Sequence, residues 1–316
     1  MQHEISLDDG LLAFSDDVAA HLLDRSPLDF HAEFHRICQQ VYGQIKNRPT
    51  VDTSALKDTG FDVFSEFASA RMAHGLSEAY GREVEVQRGE ANSVIEPSEA
   101  LKEHVMEVAR HCLTDEFERY IESYFGCFFR IDHFDLMRSR PYDQPGDSYK
   151  WHRDLDPMAK IHVMIYLTDS GDNSPATLFA RLADTRRCAE KGYVFPPQSR
   201  RIHDLNELFS EGDREIVPVR PKLKAGDATI FTPSRILHRG IIHEDEFRDV
   251  LLLNILPSMN PWGSEINRLG LDRHFVGRNT LWIDPYSRFK PSLPTDKKFE
   301  IPKWVQLGHH FPEELV

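Results

Sequence analysis

The chain has little cysteine, a shortage of basic residues and no long apolar run, and each lack closes off a class of protein. Cys38, Cys112, Cys127 and Cys188 are the only four cysteines in 316 residues, widely spaced and without a CxxC pair. They are too few to staple a chain of this length, so we expect reduced thiols in a cytoplasmic protein. Lys and Arg number 38 against 51 Asp and Glu, a net charge of −13. Such a molecule repels polyanions, which argues against nucleic-acid and acidic-membrane partners; any anionic ligand must then be met by a local basic pocket. The longest apolar stretch, VLLLNIL from Val250 to Leu256, is too short to cross a bilayer and reads as a buried strand. The amino terminus, MQHEISLDDG, lacks both a basic region and an apolar region, so no secretory leader or transmembrane segment is expected. What remains is ordinary globular composition, 40% hydrophobic and 28% charged, suited to one elaborated domain with a core large enough to surround a site.

Periodicity divides the chain. Phe34, Ile37, Cys38, Val41 and Ile45 recur at helical spacing, as do Leu101, Val105, Val108, Ala109 and Cys112 after Pro97 and Ser98. Thr114 followed by two acids is placed to cap a helix through Tyr124, which Gly126 ends. Residues 1–126 therefore read as a mainly helical scaffold. From Cys127 the pattern changes to short β-type runs, CFFRIDHFDLMR, KIHVMIYLT, IVPVRPKL, ATIF and DVLLLNIL, broken by Gly, Pro and Asp. Strands without intervening helices point to a sandwich or barrel, so 127–260 is expected to be a β core with helical additions elsewhere. Within it, 169–215 is a polar, poorly periodic insert that reads as a lid or as disordered chain. Residues 261–316 form a carboxy-terminal extension rich in Pro, Trp and aromatics, expected to wrap the core.

One pattern carries chemistry. On an extended chain a His and a carboxylate at i and i+2 point to the same side and can offer two ligands to one metal. Chance predicts about 2.6 such matches in this composition, and there are four: His31/Glu33, His133/Asp135, His152/Asp154 and His243/Asp245. His31 lies in a helical stripe, where i and i+2 diverge. His133 and Asp135 lie within a strand with nothing to mark an opening, and His243 and Asp245 fall in the charged turn HEDEFRD. His152 and Asp154 follow the turn-rich PYDQPGDSYKW and precede a strand, where a barrel mouth would present ligands. A third ligand is offered by His238 in GDATIFTPSRILHRG, and ten residues later Arg248 stands at the entrance of a buried strand, where a guanidinium needs an anionic partner.

The ordered set, His-x-Asp, a His 84 residues after Asp154, then Arg ten beyond, inside AGDATIF…LHRG, resembles the 2-oxoglutarate and iron(II)-dependent dioxygenases, nearest the phytanoyl-CoA dioxygenase-like branch. The resemblance covers roughly residues 127–258 and implies a double-stranded β-helix (jelly roll). It implies iron(II) held by His152, Asp154 and His238, with Arg248 on the distal carboxylate of the cosubstrate 2-oxoglutarate and with Tyr166 and His162, which share a strand face, within its reach. The implied reaction is hydroxylation of a small-molecule substrate by dioxygen, with succinate and carbon dioxide as coproducts. Arg181, Arg186, Arg187, Lys191, Arg200 and Arg201 in the insert suggest a lid over an anionic substrate, against the plainer reading of a solvated basic loop. Two other accounts fit the residues: a cupin-like metal-binding protein without oxygenase activity, which has no need of Arg248, and a hydroxylase acting on a polypeptide.

Overall fold

A computed structural model describes residues 5–8, 11–14, 27–45, 50–88, 95–139, 147–172, 174–241, 246–275 and 300–315; His243 and Asp245 fall outside them. The amino-terminal half supplies helices α1 (Pro27–Ile45), α2 (Ser54–Thr59), α3 (Ala70–Arg88), α4 (Glu99–Cys112) and α5 (Asp115–Phe125). The expected caps are present. Ser98 Oγ accepts from Leu101 N at 3.2 Å and Thr114 Oγ1 from Phe117 N at 3.3 Å, while Gly126 ends α5 in the left-handed region at φ 70°. The apolar stripes of α1 and α4 are buried, apart from the terminal Ile45.

A hairpin of β1 (Ile5–Asp8) and β2 (Leu11–Phe14) precedes the helices. The main sheet is antiparallel, in the order β3-β7-β5-β9-β4, from β3 (Phe61–Phe64), β4 (Phe128–Ser139), β5 (Ile161–Tyr166), β7 (Ala228–Phe231) and β9 (Arg248–Ser258). A two-stranded sheet pairs β6 (Ala176–Phe179) with β8 (His238–Ile241). Register sorts the residues by face. Ile161, Val163 and Ile165 of β5 and Leu251, Leu253 and Ile255 of β9 join the helices in the largest core cluster. Their alternates, among them Met164, Tyr166, Val250 and Leu252, form a second cluster with Phe179 of β6. Phe179 lies 5.0 Å, ring to ring, from both Phe61 and Phe231, so the small sheet covers this inner face. Strand β9 is thus covered on both sides, which is why VLLLNIL is continuously apolar rather than alternating.

The segment read as mainly helical also supplies the β1–β2 hairpin and β3, which pairs with β7 at the sheet edge. Two expectations need correction. The run IVPVRPKL is no strand: Pro218 and Pro221 have no N–H to give a ladder, and only isolated bridges form, Phe179 to Val219 and Ser170 to Leu223. The insert at 169–215 is neither a loose lid nor a disordered loop, since it contributes β6 and helix α6 (Leu182–Glu190). Its Ala180, Cys188, Tyr193 and Leu205 pack with Trp151 and Leu237. Its basic residues are also largely engaged with the chain: Arg186 donates to Leu307 O at 2.8 Å, and Arg187 to Asp184 and to Arg214 O. The lid reading therefore loses its main support. Beyond β9 follow α7 (Trp262–Leu269) and, near the carboxy terminus, α8 (Lys303–Gln306), whose Trp304 and Val305 pack with Leu28 of α1. All four cysteines are buried, none in a disulfide, and no helix among the described residues is long and apolar enough to cross a membrane.

Candidate metal centre

Trp151 to Asp154 runs antiparallel to the start of β8. His152 N–H donates to His238 O at 3.1 Å and His238 N–H to His152 O at 2.9 Å. Residues that exchange both backbone bonds stand directly opposite, with side chains together on one face. Asp154, at i+2, shares that face and is anchored by its N–H to Pro233 O at 3.1 Å. Backbone pairing thus brings together three side chains that the sequence separates by 84 residues. His152 Nε2 is 3.7 Å from Asp154 Oδ1 and His238 Nε2 is 3.9 Å from Asp154 Oδ2. Ligand atoms of all three lie within 4.8 Å of one another, a set able to hold a metal ion.

Each imidazole spends its other nitrogen locally. His152 Nδ1 bonds Lys150 O at 2.7 Å and His238 Nδ1 bonds Ile236 O at 3.3 Å. A carbonyl only accepts, so Nδ1 carries the proton and the Nε2 lone pair faces the cluster. Burial pushes both histidines down to about 4, with the charge of Arg201 a lesser cause, so both are neutral donors. Burial also pushes the Asp154 carboxyl up. Two neutral donors and a carboxylate whose charge is disfavoured by burial are a combination that a bound cation would suit.

Arg248 and Tyr166 come together at the far end of the inner face. The Arg248 guanidinium lies 6.0 Å from the Tyr166 ring centroid and donates from Nη1 to Thr177 Oγ1 at 2.8 Å. Arg248 Nε, Tyr166 Oη and, on the neighbouring strand, Thr229 Oγ1 are buried without a hydrogen-bond partner. Orphans of this kind are scarce in folded proteins, and these three share one face. His162 is also buried with Nε2 unpartnered, but it stands four residues along β5 from Tyr166, about 13 Å at strand rise. It is next to the metal cluster instead: Asp154, Asp156 and His162 form a second set of ligand atoms within 4.8 Å.

The His133/Asp135 pair, set aside as strand packing, is an ion-pair network. His133 Nδ1 bonds Asp132 at 2.9 Å and Nε2 bonds Asp135 at 3.0 Å. Burial opposes the charge, yet the two carboxylates prevail and hold the imidazolium up to about 9. Since an unfolded histidine titrates near 6.5, this stabilisation is complete below pH 6.5 and is lost as pH rises through 9. Comparing urea unfolding of the wild type with His133→Gln, the stability difference should shrink by roughly 2 to 3 kcal/mol between pH 6 and 10; a difference constant with pH would contradict the network.

Sequence reading missed Thr229, Thr177 and Asn254. Thr229 had a usable signal, since it is the one polar side chain in ATIF; Thr177 sat in the supposed insert and Asn254 inside an apolar run.

Neither protein-family models nor curated proteins match the sequence. Among solved structures, the chain is similar to the non-heme alpha ketoglutarate dependent carbocyclase SnoK from nogalamycin biosynthesis, at 14% identity over 74% of this chain and 98% of that one, TM-score 0.43. It is also similar to EctD from S. alaskensis in its apoform, at 16% identity over 67% and 79%, TM-score 0.47. A third likeness is to the non-heme monooxygenase ThoJ, at 13% identity over 64% and 75%, TM-score 0.46. At these scores the similarities add no weight of their own, and the functional reading rests on the residues.

Proposed function

We propose that the chain is an iron(II)- and 2-oxoglutarate-dependent oxygenase that hydroxylates a small molecule, built on a double-stranded β-helix formed by the two facing sheets. The observation that carries this reading is the coincidence, between the two facing sheets, of a His152, Asp154, His238 donor set with the orphaned polar atoms of Arg248, Tyr166 and Thr229. The donor set fits iron(II): two imidazoles and one carboxylate on one side of an ion leave its other side open to ligands. Bound there with 2-oxoglutarate and dioxygen, iron supplies a two-electron oxidation in which one oxygen atom enters a substrate C–H bond and the other enters succinate, carbon dioxide leaving.

The chain's own groups set up that chemistry. Lys150 O and Ile236 O fix the imidazole tautomers, so no proton need be lost from Nε2 when metal binds. Arg248, pinned by Thr177 and rigid between covered strands, presents its free Nε to a carboxylate, and Tyr166 Oη and Thr229 Oγ1 add hydroxyl donors. Arg248, Tyr166 and Thr229 are all buried, so this end is shielded from water, which strengthens each of those bonds. A metal-binding protein without oxygenase activity has no use for the Arg248 end.

Arg248→Met tests the assignment. Loss of one charge-assisted contact to a buried carboxylate, worth about 1.5 to 3 kcal/mol, should raise the apparent KM for 2-oxoglutarate on the order of 100-fold. Iron(II) affinity should be unchanged, and succinate formation should recover at high 2-oxoglutarate. Equal 2-oxoglutarate dependence in variant and wild type would remove Arg248 from the site.

A further inference from the structure

The start of β9 brings two guanidinium groups and one carboxylate together. Arg248 and Asp249 are its first two residues, and alternation along a strand sends their side chains to opposite faces of the sheet. Asp249, fully buried, turns to the helical side. There Arg138, directly opposite it on β4, holds both of its oxygens, Nε to Oδ1 at 2.7 Å and Nη2 to Oδ2 at 2.5 Å, and Ser77 Oγ of α3 donates to Oδ2 at 2.6 Å. Backbone bonds fix the same residue: Asp249 N–H donates to Thr168 Oγ1 at 3.2 Å, and Leu167 N–H to Asp249 O at 2.9 Å. Arg248, on the inner face, meets no carboxylate among the described residues; its guanidinium bonds Thr177 Oγ1 at 2.8 Å and keeps Nε free. The acid next to Arg248 in the chain is thus spent on Arg138, and the charge of Arg248 is left over for a ligand.

The position needs such a fastening. Both ladders that hold β9 run out here: pairing with β5 ends at Val250 opposite Tyr166, and pairing with β4 ends at Arg248 itself, opposite Ser139. Strand ends fray because few bonds hold the last residues, and a guanidinium carried on a fraying end is poorly aimed. Asp249 ties this end to a helix on the other side of the sheet. The tie is close enough to dictate a neighbouring residue. A side chain at Gly81 of α3 would put its Cβ 2.8 Å from Arg138 Nη2 and 3.1 Å from Nη1, nearer than atoms pack. The Phe247 ring lies 4.4 Å and the Tyr80 ring 5.7 Å from the same guanidinium carbon, so Arg138 is enclosed by helix, rings and carboxylate.

We infer that Asp249, held by Arg138 and Ser77 against α3, is a positioning residue: it sets the place and direction of Arg248 and, through Arg248, the affinity for the carboxylate end of 2-oxoglutarate. The inference rests on the oxygenase reading above and deepens it. Coulomb attraction by itself predicts the reverse, since removing a negative charge beside the site favours a dianion. The sign of the effect therefore separates aim from charge.

The test measures, by calorimetry, the dissociation constant of 2-oxoglutarate for the full chain loaded with zinc(II) in place of iron, with urea denaturation to show that each variant is folded. Asp249→Asn, which keeps the shape and removes the charge, should weaken 2-oxoglutarate binding roughly 10-fold, inside the range for residues coupled through one network, with zinc affinity unchanged. In an Arg248→Met background the same substitution should change the constant no further, an outcome that general loosening of the fold would not reproduce. Binding by Asp249→Asn as tight as the wild type or tighter overturns the inference, as does an equal loss with Arg248 absent. Should that variant not fold, Gly81→Ala, which favours the helix and presses on Arg138 alone, decides by the same criteria. Failure of the underlying reading shows differently: zinc-loaded wild type would not take up 2-oxoglutarate, or Arg248→Met would bind it as the wild type does.

Discussion

His238→Ala should cost at least about 100-fold in iron(II) affinity and abolish succinate formation, while leaving the protein folded. The separation of the two effects follows from how the site is built. What holds His238 against His152 is a pair of backbone hydrogen bonds, at 2.9 and 3.1 Å, which alanine keeps. What alanine removes is the Nε2 donor and the ring that packs 4.4 Å from His152 and 5.2 Å from Phe231, centroid to centroid. Metal affinity is read by competition with a chelator and folding by urea denaturation. A variant that binds iron as the wild type does would exclude His238 as a ligand. A variant that fails to fold would show that the ring, rather than the backbone pair, secures this corner.

Arg153→Met should destabilise the protein by about 3 to 5 kcal/mol, although Arg153 is charged, polar and no ligand. It is 2% exposed, between His152 and Asp154, with its side chain turned away from theirs into the carboxy-terminal segment. Its guanidinium donates to Ser234 O from Nε at 2.8 Å and from Nη2, to Gln306 O from Nη1 at 2.8 Å and to Val305 O from Nη2 at 2.8 Å. Arg186 takes Leu307 O and Arg235 takes Gly308 O at 2.7 Å, so four successive carbonyls of the terminal turn are each met by an arginine. Methionine fills part of the volume and leaves Ser234 O and Gln306 O without a donor, at about 1 to 3 kcal/mol each before relaxation, while Val305 O keeps only the Gly308 N–H at 3.0 Å. Against a total stability of about 5 to 15 kcal/mol this is a large loss. Faster amide exchange across residues 303–308 should accompany it, and metal affinity should fall because Ser234 leads into the turn before His238. A loss below about 1 kcal/mol would mean that water replaces the guanidinium at little cost.

How much of this was legible depended on the length of the local signal. Helices α1, α4 and α5, with caps at Ser98, Thr114 and Gly126, follow from periodicity over several turns, and β4, β5, β7 and β9 from β-branched and aromatic runs. Strands β3 and β6, four residues each, turn at most two side chains inward, too few to separate from loop or from neighbouring helix. The i, i+2 rule put His152 and Asp154 on one side, but that rule alone fitted four places in the chain. Only the backbone pairing of His152 with His238 makes the third side chain a neighbour. The buried arginines were out of reach for another reason. Charge reads as surface in a sequence, and nothing local shows that Arg153 ends among carbonyls more than 150 positions away.

The measurement that bears most directly on the account is anaerobic titration of the iron(II)-loaded protein with 2-oxoglutarate, followed by visible absorption. The account predicts a saturable charge-transfer band from a keto acid chelating iron, one per chain, followed by succinate when air is admitted. Iron bound at the site with no band at saturating 2-oxoglutarate would contradict it, and would leave His152, Asp154 and His238 as ligands of a metal with other work.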